Sequence, residues 1–153
     1  MGFILLHVKR MRDTSRHGYF TFCVAKYFTI RSTACHPLGF AISLDFSTNI
    51  IHLCEQTKGH YALTNQLERS ATSIGANIHE ANYAHGRADF IAKLQIALKE
   101  CYETEYWLTL FVRSGLVSKE VIKPLYDQCG TLRCLLVASI NTAKKNTEKK
   151  TDP

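Results

Sequence analysis

The chain has no uncharged stretch long enough to cross a bilayer. Its longest run without Asp, Glu, Lys or Arg is the 13 residues from Ser32 to Leu44, well short of the roughly 20 that a transmembrane helix needs. No secretory leader is expected: the apolar opening before Lys9 and Arg10 is short, has no basic lead-in and is followed by no small-residue cleavage site. Leu6 stands where a myristoylation signal wants Ser or Thr. A cytoplasmic protein with no membrane attachment is expected. The six cysteines (Cys23, Cys35, Cys54, Cys101, Cys129 and Cys134) include no C-x-x-C pair, so neither a zinc knuckle nor a dithiol motif is indicated. In a reducing compartment they are expected as thiols, with Cys54, Cys101 and Cys129 acting as small apolar filler on helical faces.

Patterns that carry catalysis are equally scarce. His79-Glu80 would open an H-E-x-x-H zinc motif, but the fourth residue after His79 is Tyr83, and His85 falls on another face. No glutamate has a histidine three residues later, which removes the usual ligand pair of a di-iron bundle. Nothing resembles a nucleophile elbow, a P-loop or G-x-G-x-x-G. The expectation is a protein that is not an enzyme and holds no cofactor and no metal.

What the chain does have is basic charge, +6 in 153 residues, distributed unevenly. Residues 1–39 carry six basic residues against Asp13, giving +5; residues 143–153 carry four lysines against Glu148 and Asp152, giving +2. The intervening 40–142 hold nine basic and ten acidic residues, giving −1. Basicity is a property of the two ends, and an overall charge by itself says little about what the folded part binds.

From Ile42 onward apolar residues recur at three- and four-residue spacing, with no sustained alternation of period two. Four amphipathic helices are expected. The first, about 41–57, presents Ile42, Phe46, Ile50 and Leu53 and ends at Lys58-Gly59. The second, about 61–84, presents Leu67, Ala71, Ile74, Ile78 and Ala81. Gly75 inside it costs about 1 kcal/mol relative to Ala, which points to a neighbouring helix pressed close to its backbone. The third, about 87–114, has the most regular seam, Phe90, Leu94, Ala97, Cys101, Thr104, Leu108 and Phe111, and stops at Gly115.

Ser118 and Glu120 look like the cap and first-turn acid of the fourth helix. That helix continues to about 144 on Ile122, Leu125, Cys129, Leu132, Leu136, Ser139 and Ala143. Pro124, in its sixth position, either bends it or delays its regular part to about Lys123. Short connections make successive helices antiparallel, so the fold class is all-α, an antiparallel up-down four-helix bundle over residues 40–145. Residues 1–39, set off by Pro37-Leu38-Gly39, form an N-terminal extension of unassigned structure or reflect a start codon placed too early. Residues 146–153 form a disordered basic tail.

Arg69, Ser73, Asn77 and Glu80 line up as a polar stripe beside the apolar face of the second helix. One reading is a binding line. The other is structural, with Arg69 meeting Glu103 or Glu105 of the third helix, so that Arg69→Ala destabilises or dissociates the assembly. Tyr102, Tyr106 and Trp107 lie off the third helix's main seam, where aromatics suit a subunit contact, core packing or, less readily, base stacking. The cations open to nucleic acid are Arg87, Lys93, Arg113, Lys119, Lys123 and Arg133, joined near the end of the chain by Lys144, Lys145, Lys149 and Lys150. Scattered cations of this kind also make an ordinary solvated face.

The segment from Leu63 to Leu108 resembles the bacterial four-helix-bundle family also called the intervening-sequence or S23 family. The resemblance is carried by Gln66-Leu67, Arg69-Ser70, Ser73-Ile74, Ala76-Asn77-Ile78 and Glu80. These are followed by Asp89-Phe90-Ile91, Ile96-Ala97-Leu98 and the Glu-x-Glu of Glu103 and Glu105. It extends more weakly through Leu44–Cys54 and Ser118–Lys145, about two-thirds of the chain. Gly86 in place of a capping Ser, Pro124 and residues 1–39 depart from the family pattern.

Members of that family occur within extra segments of large-subunit ribosomal RNA genes, and relatives accompany the reverse transcriptase of diversity-generating retroelements. The resemblance thus implies a four-helix bundle assembled as a homopentamer, without known catalysis, in contact with RNA or DNA and with a protein partner such as a reverse transcriptase. Two functions follow as expectations. One is an oligomeric bundle that binds RNA or DNA as the accessory of a nucleic-acid-processing enzyme. The other is a protein–protein adaptor with no nucleic-acid role.

Overall fold

The computed structural model describes residues 37–148, which form four helices: α1 (Pro37–Gln56), α2 (Tyr61–Ala81), α3 (Arg87–Arg113) and α4 (Lys119–Glu148). Among the described residues there is no strand. Most of the N-terminal extension lies outside them, as do Cys23, Cys35, Lys149 and Lys150. Each helix packs on two others only: α1 on α2 and α4, and α3 on α2 and α4, with no diagonal contact. Joined by turns of a few residues, helices arranged this way form the expected up-down ring. The α2–α3 contact is the most extensive and α1–α4 the thinnest.

The expected seams are the buried ones. Phe46, Ile50, Leu53 and Cys54 of α1 meet Leu67, Ala71, Ile74, Ile78 and Ala81 of α2 in one core. Leu94, Ala97, Cys101, Leu108 and Phe111 of α3 join Ile122, Leu125, Cys129, Leu132, Leu136 and Ile140 of α4 there. Phe90 and Ile42 are only half-buried at the margin. Fully burying one of the larger apolar side chains contributes about 1.5–3 kcal/mol, so these seams dominate the stability of the fold.

Several boundaries differ from expectation. Pro37, Leu38 and Gly39 are helical and belong to α1. The fourth helix runs unbroken from Lys119 through Pro124 to Glu148. Its regular part therefore does not wait for Lys123, and residues 146–148 are helical. Lysines in the last turns, Lys144 and Lys145, face the negative end of the helix dipole, which favours the longer helix.

The glycine terminators act as anticipated. Gly59 (φ 87°) and Gly115 (φ 72°) take the left-handed conformation that L side chains resist. At Gly115 the Leu116 N–H donates to the Phe111 carbonyl and the Gly115 N–H to Val112, both at 3.1 Å, the paired bonds of a Schellman end. At the start of α3, Gly86 has no side chain with which to cap. Asp89 substitutes by accepting the His85 backbone N–H at 3.1 Å. At the start of α4 the Glu120 carboxylate accepts its own backbone N–H and the Ser118 hydroxyl, which lowers its pKa, and the Ile122 N–H donates to the Ser118 carbonyl at 3.2 Å.

Gly75 is the close approach that its cost implied. A Cβ built there would stand 3.2 Å from Ser43 Oγ and 3.5 Å from Ser43 Cβ, on the facing α1. Ser43 is fully buried, and its hydroxyl is held by a 2.7 Å bond to the Phe40 carbonyl, so it has little room to give. Gly75→Ala alone should therefore change stability by less than about 0.5 kcal/mol, because helix propensity and steric crowding offset each other. In a Ser43→Ala background, where only ordinary contact remains, the same substitution should add about 1 kcal/mol. Urea unfolding of the four proteins of this cycle checks it, and equal effects in the two backgrounds would show that Ser43 is not the obstacle.

Candidate functional site

The polar stripe of α2 faces α3, and its members do different things. Arg69 Nη2 donates to Glu103 Oε1 at 3.1 Å, and Arg69 Nε and Nη2 both reach Gln66 Oε1, at 3.3 and 3.1 Å. Trp107 Nε1 donates to the same Glu103 oxygen at 3.3 Å. Asn77 turns back on its own helix, donating to the Ser73 carbonyl at 2.9 Å. Glu80 forms an ion pair with Lys93 across the α2–α3 seam. Glu105, offered as an alternative partner for Arg69, instead takes Arg133 of α4, whose Nε lies 2.8 Å from Glu105 Oε1. The Arg133 guanidinium also sits over the Tyr102 ring, 5.9 Å from its centroid.

These pairs divide the cations expected to meet nucleic acid. Lys93 and Arg133 are half-buried and committed to Glu80 and Glu105. Lys123 donates to Asp127 at 2.7 Å one turn along α4. Arg87, Arg113, Lys119, Lys144 and Lys145 are exposed at the ends of helices. An even number of up-down helices puts the start of α1, the α2–α3 turn and the end of α4 at one end of the bundle. Arg87, Lys144 and Lys145 are at that end, while Arg113 and Lys119 are at the other.

Tyr102 and Tyr106 project from α3 with 53% and 59% of their surface exposed. Trp107 is half-buried against the core and meets Tyr106 edge-on, with centroids 5.0 Å apart. The two tyrosines and the tryptophan therefore do not form one exposed patch. Trp107 packs within the bundle, and Tyr102 is partly covered by Arg133.

Spacing alone did not single out the polar groups inside the α2–α3 seam. Thr104 Oγ1 donates to Ser70 Oγ at 3.0 Å, and Ser70 donates to the Leu67 carbonyl at 3.1 Å, both side chains being fully buried. The signal available was Ser70 falling next to Ala71 on the inward face. Nearby, Glu100 Oε2 is buried without a partner. Burial first and the negative charge of Glu103 second raise the Glu100 carboxyl above its ordinary pKa, against the pull of Arg69. Between α3 and α4 the Cys129 thiol donates to the Cys101 carbonyl at 3.5 Å. Contact with Cys129 and then burial push the Cys101 thiol far up. Burial, with Glu68 adding to it, takes Cys54 to about 11. Thiols so far from ionisation behave as apolar filler. Among the described residues no three His, Cys, Asp or Glu side chains gather as a metal site would require, and no helix is long and apolar enough to cross a membrane.

The two inter-helix arginines should not be equivalent. The Arg69 side chain is 58% exposed, and an ion pair so open to water is worth under about 1 kcal/mol. Arg69→Ala, expected from the sequence to destabilise or dissociate the assembly, should therefore destabilise by no more than that bound. Glu105 is only 15% exposed, so Arg133→Ala strands a carboxylate and should cost about 2 kcal/mol. Urea unfolding separates the two, and equal costs would contradict this ranking. Glu100 has a pH signature. Its raised folded pKa means that the stability it confers is full below the unfolded carboxyl pKa and is lost as pH rises through the folded value. Glu100→Gln should therefore be more stable than the parent at pH 7, with the gap narrowing toward about pH 4. A gap that widens on acidification would exclude this role.

A family model described as 23S rRNA-intervening sequence protein matches residues 40–138. No curated protein matches the chain. A crystal structure from Bacteroides thetaiotaomicron, of a protein with unknown function from the S23 ribosomal protein family, is 40% identical in sequence with a TM-score of 0.64. The match covers 66% of this chain and 96% of that one. The matched span is the four-helix ring itself, from the first turn of α1 to the last buried turns of α4, and by this match the chain belongs to the 23S rRNA-intervening sequence protein family.

Proposed function

We propose that this protein is a non-enzymatic, oligomeric helical bundle that binds RNA or DNA and serves a nucleic-acid-processing enzyme, such as a reverse transcriptase, as an accessory. The observation that carries the reading is topological. Residues 1–39 bear +5 and residues 143–153 bear +2, and the up-down ring joins both segments to the same end of the bundle. Arg87, Lys144 and Lys145 stand exposed at that end. Cations far apart in sequence, Arg87 with Lys144 and Lys145, thereby share one pole, where they can neutralise phosphates and release their counterions. Assembly into a homo-oligomer, a pentamer by family likeness, would repeat that pole several-fold and turn modest single contacts into avidity.

A protein–protein adaptor is the second reading. It is favoured by the ion pairs that engage Lys93 and Arg133 within the bundle and by the exposed Tyr102 and Tyr106, which suit a subunit or partner contact.

Fluorescence anisotropy of the full chain with labelled RNA and DNA of arbitrary sequence decides between them. On the nucleic-acid reading, binding at about 50 mM salt weakens steeply, by roughly 10³-fold at about 200 mM if some six phosphates are contacted. Replacing Lys144, Lys145, Lys149 and Lys150 with Ala should lower the salt slope by about 0.7–0.9 for each lysine that contacts a phosphate. No binding at low salt, or a flat salt dependence, would eliminate the nucleic-acid role and leave the adaptor.

A further inference from the structure

At the basic end of the bundle, the α1–α2 seam carries three rings in a row. The Phe40 ring lies 5.0 Å from the His79 ring at an interplanar angle of 32°, and His79 lies 5.3 Å from the Tyr83 ring at 64°. Phe40 is anchored, half-buried against the core in the first turns of α1. His79 stands in the last turn of α2 and is exposed. Tyr83 follows it with 73% of its surface open, yet its backbone is fixed, because its N–H donates to the Glu80 carbonyl at 2.9 Å. The outermost ring is thus held in place by a hydrogen-bonded turn while contributing almost nothing to the core.

We propose that the Phe40–His79–Tyr83 ladder is a stacking platform for the unpaired bases of a single-stranded nucleic acid. The proposal rests on the nucleic-acid reading above and adds to it both a ligand class and a place. Exposed aromatic faces on a fixed backbone recognise any base, since every base has a π-face, and such stacking is sequence-tolerant. Bases within a duplex are already stacked on one another, so the platform discriminates for single strands. Charge selects a polyanion over an apolar peptide: Arg87 opens α3 four residues after Tyr83, and Lys144 and Lys145 stand in the last turns of α4 at the same end. Ring and phosphate contacts would then act along one strand.

The test uses the full chain and anisotropy with labelled oligo-uridine, oligo-thymidine and a duplex, each of about 20 nucleotides. Tyr83→Ala should weaken single-strand binding about tenfold, with the salt slope and the duplex affinity unchanged, whereas Tyr83→Phe should bind as the parent does. His79→Ala should behave like Tyr83→Ala. Equal losses on the uridine and thymidine strands are expected, because a stacking platform ignores the 2′-hydroxyl. Circular dichroism melting should be unaffected by Tyr83→Ala, given that ring's exposure. If Tyr83→Ala binds single strands normally, or loses duplex and single-strand affinity alike, the platform is refuted while the electrostatic reading stands. If the parent protein binds none of the three at low salt, both readings fall.

Discussion

Closure of the four-helix ring without diagonal contacts is the constraint on which the other features depend. Because each helix touches only its two neighbours, the centre must be filled by side chains alone, and one broad seam per helix has to supply them. On α3 that seam is Leu94, Ala97, Cys101, Thr104, Leu108 and Phe111, all with no exposed surface. The smaller Ala97, Cys101 and Thr104 sit together in the middle of that seam between Leu94 and the larger Leu108 and Phe111, which lets the facing helices fill the centre at the density of protein interiors. The Cys101 thiol fits this centre because contact with Cys129 and burial push its pKa far up and keep it protonated.

Within the ring, the polar contacts set registers that apolar packing leaves loose. The α1–α2 register is determined sterically, by Ser43 against the bare backbone of Gly75. The α2–α3 register is marked by the Thr104–Ser70 bond inside the seam, with Arg69–Glu103 and Lys93–Glu80 on its outer edges. Between α3 and α4, Arg133–Glu105 plays the corresponding part. Such pairs add little net stability because desolvation offsets most of their attraction. Their value lies in making a helix slipped by one turn unfavourable, since it would leave a half-buried charge unmatched. The thinnest seam, α1–α4, is bridged by the exposed Asn49–Gln128 bond at 3.3 Å.

Sequence periodicity revealed most of the fold and rather less of its surface chemistry. Apolar spacing located all four helices and nearly every core residue, since burial imposes a period that survives in the residue types. Ile140 and Ser43 were missed, the first as the inward neighbour of Ser139 and the second because a serine facing a glycine carries no apolar signal. The helix ends differ where local rules compete: Pro37-Leu38-Gly39 reads as a linker but is helical, and Pro124 is accommodated in a long helix. Partner choice was harder still. Arg69 was matched with Glu103 or Glu105 on reach alone, yet Glu105 belongs to Arg133, and only the packing of α4 beside α3 decides between them. Lys93 and Arg133 looked like free cations for the same reason.

The parity of the helices links this fold to its surface electrostatics. An odd number of up-down helices would carry the two basic ends of the chain to opposite poles, roughly a helix length apart. At about 1.5 Å rise per residue that distance is about 40 Å for a helix the size of α3, several Debye lengths at physiological salt, and the two charges would act independently. With four helices the first described turn of α1 and the last turns of α4 lie at one pole, which Lys144 and Lys145 share with Arg87 of the α2–α3 turn. The folded middle of the chain, at −1 over residues 40–142, neither adds to nor cancels this arrangement. Its contribution is geometric: it carries charge to one end and, with Phe40, His79 and Tyr83, places rings beside it.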